Sequence, residues 1–151
     1  MQPAPPFPPT AYIFNYNDHA SYPDEFFKDR ANFQPHSFIH GAWHHTDLVG
    51  TAGGFIEQEV KRSHIGHVVG VWVEPDFRRR GIARDLTQAA IDQLKEHPDV
   101  TLIQIAATAT NHGAITLYES MGFTRYGIEP QALKHDGVVY DEVLMAMAVP
   151  R

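Results

Sequence analysis

The densest group of ligand-binding residues lies in residues 71–86, VWVEPDFRRRGIARDL. A β-rich run stops at Glu74-Pro75, where proline removes a ladder donor. Arg78, Arg79 and Arg80 follow, and Gly81 then opens a helix. The first N–H groups of a helix have no internal acceptor and carry partial positive charge. With guanidinium groups beside them, they suit a pyrophosphate. Gly81 lacks a Cβ and lets a ligand approach the backbone. The small Ala83 leaves room at the first turn. A solvated basic turn would carry the same three arginines. No Lys-Ser or Lys-Thr pair follows Gly81, which argues against a Walker-type nucleotide loop.

A second group spans residues 111–123. Asn111 reads as an N-cap. Tyr118 lies seven residues later, and at helical pitch seven residues return to within ~20° of the start. The two side chains therefore share one face. A plain cap for Asn111 and a core phenol for Tyr118 are the structural alternatives. The chain has 10 histidines. His44 and His45 are adjacent, and His64 and His67 are three apart, so strand alternation sends each pair to opposite faces. No HExxH is present, and no metal site is expected.

The elements that must position these groups follow from patterning. Residues 11–16 read as a strand and residues 24–33 as a short helix. Residues 37–43, 48–57 and 65–73 read as strands, with turn or bulge chemistry at Asp47 and Gly53-Gly54. Ile82, Leu86, Ala90 and Leu94 recur every four residues and predict a helix over residues 81–97, ended by Pro98. Residues 101–108 form a buried-type strand, residues 111–122 a helix, and residues 138–149 a final alternating strand. The order implies an α/β fold, antiparallel at first, with a crossover between residues 65–73 and 101–108. Residues 1–10 contain Pro3, Pro5, Pro6, Pro8 and Pro9 and read as an extended arm. Residues 11–151 read as one domain.

Composition sets the remaining bounds. The 151 residues are 43% hydrophobic and suffice for one core. With no cysteine, disulfides and cysteine-based metal sites are excluded. The formal charge of −6 disfavours a nucleic-acid partner and favours approach of a cation. No signal peptide or membrane span is read, and a cytoplasmic location is expected.

Taken together, the two groups resemble the GNAT acetyltransferases. Arg78-Arg79-Arg80-Gly81-Ile82-Ala83 is similar to that family's Arg/Gln-x-x-Gly-x-Gly/Ala signature. The block from Asn111 through Ala114 and Tyr118 to Gly122-Phe123 is similar to its Asn-x-x-Ala-x-x-x-Tyr-x-x-x-Gly-Phe block. The matched blocks anchor about half of the chain, residues 65–126. The resemblance implies a mixed, mostly antiparallel sheet with a central splayed strand pair and flanking helices. It implies acetyl-CoA as co-substrate, held by Val71, Trp72, Val73, Arg78, Arg79, Arg80, Gly81, Ile82, Ala83, Arg84, Asn111, Ala114 and Tyr118. It further implies direct attack of a primary amine on the thioester, with Tyr118 as proton donor to the leaving thiolate.

For the base, Glu57 ranks first, at the end of a strand beside residues 65–73. His67 and His64 follow, and ordered water is the alternative. Where related enzymes carry a glutamate on the strand at residues 101–108, this chain has Ala106 and Ala107. That departure favours a small-molecule amine over a peptide N-terminus. A non-catalytic acyl-CoA sensor, or a protein or charged-tRNA amine as acceptor, are the alternative readings. A homodimer through exposed strands is a further expectation.

Overall fold

The computed structural model describes residues 36–151. The proline-rich arm, the strand expected at residues 11–16 and the helix expected at residues 24–33 lie outside the described residues. The strands are β1 (Ser37–His44), β2 (Asp47–Ile56), β3 (Ile65–Val73), β4 (Leu102–Thr108), β5 (Thr124–His135) and β6 (Val138–Ala148). The helices are α1 (Ile82–Lys95) and α2 (His112–Ser120). One six-stranded sheet runs in the order β1-β2-β3-β4-β6-β5. All neighbours are antiparallel except β3 and β4, which the α1 crossover joins in parallel.

The apolar stripe of α1 buries Leu86, Ala90, Ile91 and Leu94 on one face of this sheet. They meet Ala52, Val68, Ile103 and Ile105, together with Ile115 and Tyr118 of α2. Both helices therefore cover the same face. A Cβ at Gly66 would lie 3.0 Å from Leu94 Cδ2, which puts Gly66 on the helix side. By strand alternation His67 on β3, Phe55 on β2 and Gln104 and Ala106 on β4 project from the other face. Arg84 of α1 donates to Ser120 Oγ of α2 at 2.6 Å, and Ser120 donates to Leu117 O at 2.6 Å.

β3 and β4 pair only over Ile65↔Leu102, Gly66↔Ile103 and His67↔Gln104. Beyond His67 the two strands separate. This is the splayed pair that the family resemblance implied. A local cause lies in β3 itself. Its register against β2 passes from Gly53↔Val69 to Thr51↔Trp72, so β3 holds one extra residue. Gly70 sits there with φ 63, a conformation that costs a residue with a Cβ. Bulges of this kind bend the bulged strand and increase its twist. Thr51 Oγ1 donates to Gly70 O at 2.8 Å in the buried interior and fastens the bulge. The bulge expected at Gly53-Gly54 thus belongs to the opposite strand. Those glycines are required by packing, since a Cβ on Gly54 would lie 2.5 Å from Phe38 Cζ.

β5 has no counterpart in the sequence reading. It is an edge strand, exposed along most of its length, and carries Pro130. An edge tolerates proline, and two wet faces remove the apolar alternation that marks buried strands. Its register breaks between Glu129 and Leu133, where Asp141 Oδ1 accepts from Gln131 N at 2.9 Å. Asp136 (φ 49) and Gly137 (φ 77) form a two-residue turn into β6, the Asp-Gly chemistry that suits a tight hairpin. His45, with φ 56, likewise turns the chain between β1 and β2. The His44 and His45 rings therefore meet edge-on with centroids 4.4 Å apart, instead of pointing to opposite faces.

The bulge supplies the first prediction. Thr51→Val keeps the shape and the β-propensity but strands a buried carbonyl on Gly70. We expect a loss of about 1–3 kcal/mol in urea unfolding. Unchanged stability would show that the bulge holds without this bond.

Candidate active site

The separated strands open a cavity of about 530 Å³. Val71, Trp72 and Val73 of β3 line one side, Asn111, Gly113, Ala114, Leu117 and Tyr118 the other, and Arg78, Arg79 and Ala83 one end. A second cavity of about 220 Å³ continues over the start of α1, lined by Gly81, Ile82, Ala83 and Arg84 among others. Every residue singled out for the co-substrate except Arg80 borders one or both. Arg80 places its guanidinium 5.0 Å from the centroid of the Phe77 ring, a cation–π contact. Three consecutive arginines carry no sequence mark that separates this one from the other two.

The start of α1 is unusual in a way that suits an anion. Gly81 is the N-cap, with φ 82, and no side chain caps the helix. The first intrahelical bond is Asp85 N to Gly81 O at 3.0 Å. The preceding N–H groups, on Ile82, Ala83 and Arg84, therefore have no acceptor within the helix. A Cβ built on Gly81 meets nothing within 4 Å, so open space faces this turn. Arg79 also has positive φ, at 62. Arg78 is fastened by its Nε to Val73 O at 3.0 Å, which joins the loop to the end of β3. Partial burial pulls its pKa down from the ordinary arginine value, from a starting point so high that the group stays cationic.

The start of α2 is capped conventionally. Asn111 Oδ1 accepts from Ala114 N at 3.2 Å, so the cap role holds, and Asn111 also borders the cavity. Tyr118 is almost wholly buried and packs edge-on against Phe123, with centroids 6.2 Å apart, while bordering the same cavity. It is thus both a core residue and a cleft residue. Burial pushes its phenol well above the usual tyrosine pKa, so it stays protonated throughout the neutral and mildly alkaline range.

The three base candidates separate. His64 is exposed and precedes β3; its backbone carbonyl accepts from Thr101 N and Leu102 N. Glu57 and His67 come together, with Glu57 Oε1 2.9 Å from His67 Nε2. Neither lines the cavity of residues 71–73. Their pair stands where β3 and β4 rejoin, and Arg62 Nη2 reaches Glu57 Oε1 at 3.4 Å. The hydrogen bond with His67 holds the Glu57 carboxyl below its ordinary pKa, and Arg62 acts in the same direction. Of the two alanines noted on β4, Ala107 is buried among the helices, and Ala106 lies on the face of His67.

No helix among the described residues is long and apolar enough to cross a membrane. Comparison with known proteins agrees with the geometry. The model of the acetyltransferase (GNAT) family matches residues 5–123. The [ribosomal protein bS18]-alanine N-acetyltransferase of Salmonella typhimurium is 40% identical over 81 residues, which are 51% of this chain and 51% of that protein. An N-alpha-acetyltransferase of Saccharolobus solfataricus is 35% identical over 60 residues, 40% of this chain and 36% of that one. The chain thus matches about half the length, or less, of these curated relatives. Among solved structures, a GNAT-family acetyltransferase of Streptococcus pneumoniae superposes with a TM-score of 0.72 at 19% identity, covering 83% of this chain and 74% of that one. The ribosomal-protein-S18-alanine N-acetyltransferase of Escherichia coli gives 0.65 at 20% identity, covering 94% and 83%. These likenesses concern the fold, and the family match spans most of the sequence. The chain belongs to the GNAT acetyltransferase family.

Proposed function

We propose that the protein transfers an acetyl group from acetyl-CoA to a primary amine. The observation that carries this reading is the gap between β3 and β4 past His67 and Gln104, closed at one end by an uncapped helix start. A flexible chain with amide groups can lie along β3 at residues 71–73, on the side that β4 has left. Its pyrophosphate meets the free N–H groups of Ile82, Ala83 and Arg84, with Arg78 and Arg79 beside them. Gly81, Ala83 and Gly113 keep side-chain bulk out of this path.

The reaction needs an amine lone pair at the thioester carbonyl, a donor for the developing oxyanion and a partner for the leaving sulfur. Backbone N–H on the separated edge near Val73 supplies the oxyanion donor. The Tyr118 hydroxyl, kept protonated by burial, faces the cleft as donor to the sulfur. Holding both reactants in one geometry accounts for much of the acceleration.

The short side chains of Ala106 and Ala107 on β4, the strand on which the family resemblance implies a glutamate, support a small amine as acceptor. A protein α-amine is the second reading. It rests on the 40% identity over 81 residues to the Salmonella typhimurium enzyme, which is named for acetylating the alanine of ribosomal protein bS18. Release of free CoA from acetyl-CoA, measured against amino acids, alkyl diamines and alanine-starting peptides, decides between them. Binding of CoA with no release against the whole panel would instead make the protein a sensor.

Two variants test the roles within this reading. Ala83→Leu keeps a good helix former but fills both cavities at the helix start. Calorimetry is expected to show acetyl-CoA affinity reduced at least tenfold, with the thermal transition retained; full affinity would remove the site from residues 78–84. Tyr118→Phe keeps the ring and loses the proton. Its kcat is expected to fall roughly 10²–10⁴-fold while acetyl-CoA affinity is kept. Because the wild-type phenol stays neutral, raising the pH from 7 to 9 should not by itself abolish turnover. A wild-type chemical step in the Phe variant would make Tyr118 purely structural.

A further inference from the structure

Two polar side chains stand apart from the cavities yet meet at the apex of the strand gap. His67 is the last residue of β3 that still pairs with β4. It projects from the face of the sheet opposite α1 and α2. Its ring stacks on Phe55 at 4.6 Å with 18° between planes, which fixes its orientation. Glu57 Oε1 lies 2.9 Å from its Nε2. The side chains remain partly open, His67 at 19% and Glu57 at 25% exposure.

We propose that His67 is the general base that deprotonates the acceptor amine, and that Glu57 is a positioning residue that orients its imidazole. This rests on the acetyltransferase reading above and reverses the order expected from the sequence, where Glu57 came first. The chemistry of the pair decides the order. A carboxylate only accepts hydrogen bonds, so the neutral imidazole must donate through Nε2–H. Its remaining lone pair is then on Nδ1, and that nitrogen is the acceptor for a proton. Glu57 is the poorer base, because His67 and Arg62 both hold its carboxyl in the charged form. Among the described residues, β2 contributes Phe55 to the surroundings of the ring, Glu57 follows directly after β2, the turn at Val60–Arg62 contributes Arg62 through Glu57, and β4 contributes Gln104.

The step balances without a further reactant. The amine nitrogen forms a bond to the acetyl carbon, the carbon–sulfur bond breaks, and the sulfur leaves with the bonding pair. The amine proton passes through water in the strand gap to His67 Nδ1, and the sulfur takes the Tyr118 proton. Solvent then resets both groups. The small Ala106 lies two residues beyond Gln104 on the same face of β4.

The test uses the full chain and the best amine of the panel named above. His67→Ala and His67→Gln are expected to lower kcat by roughly 10²-fold or more, with calorimetric acetyl-CoA affinity unchanged. Added imidazole is expected to restore turnover to His67→Ala, which has the space for it. The dependence of kcat/KM on pH is expected to differ between the wild type and His67→Gln. Glu57→Gln keeps a hydrogen-bond acceptor but loses the charge, and its kcat is expected to lie between those of the wild type and His67→Ala. Unchanged kcat in both His67 variants overturns the proposal, as does a loss that imidazole fails to restore while cofactor affinity is intact. Absence of CoA release by the wild type against the whole panel overturns the acetyltransferase reading itself, a result separate from either.

Discussion

The fold turns on one defect in one strand. Gly70 adds an extra residue to β3, and the Thr51 hydroxyl holds its carbonyl. Without such a bulge, a parallel neighbour could pair along the full length of β3, and no gap would exist. With it, β3 leaves β4 after three paired positions while remaining bonded to β2 along its other side. β4 in turn stays paired with β6 over all of its length. The sheet therefore remains continuous at its base and forked at its top. A forked sheet exposes backbone donors and acceptors that must find other partners. A ligand with its own amide groups would meet that need, so the feature that costs sheet pairing would also create the proposed binding edge.

The helices complete what the fork begins. α1 starts directly after β3 and α2 directly after β4, so both N-termini open at the forked end. They are finished differently. Asn111 caps α2 by accepting from Ala114 N. Gly81 leaves α1 uncapped, with its N–H groups facing the cavity. The free positive end thus lies beside the arginine loop, where a pyrophosphate would compensate it. The Arg84–Ser120 bond ties the two helices across the cleft. Tyr118 packs against Phe123 in the core and also borders the cavity.

Much of this was legible in the sequence, wherever the signal is local. The four-residue recurrence of Ile82, Leu86, Ala90 and Leu94 marks α1, and Asn111 marks the start of α2. The arginine loop and the Asn-to-Tyr spacing locate both walls of the cleft. What stayed hidden depends on register. Gly70 sits within a run of valines and reads as plain strand until its partner Thr51 is known. Glu57 and His67 are ten residues apart, and only the β2–β3 pairing shows that they meet. β5 lacked alternation because it is a wet edge, although Asp136-Gly137 did advertise its hairpin. Arg80 was grouped with its neighbours, since its turn toward Phe77 follows from loop geometry.

The central claim is that the side of β3 that β4 leaves after His67 is the seat of the co-substrate. Amide hydrogen exchange of residues 68–73, measured by mass spectrometry with and without saturating CoA, tests it most directly. These amides include those that lack a strand partner on the β4 side. The account predicts slower exchange at residues 71–73 and at residues 82–84 in the presence of CoA, with β5 and β6 unchanged. Slower exchange confined to β5 and β6, or no change at residues 71–73 while CoA is bound, would contradict it.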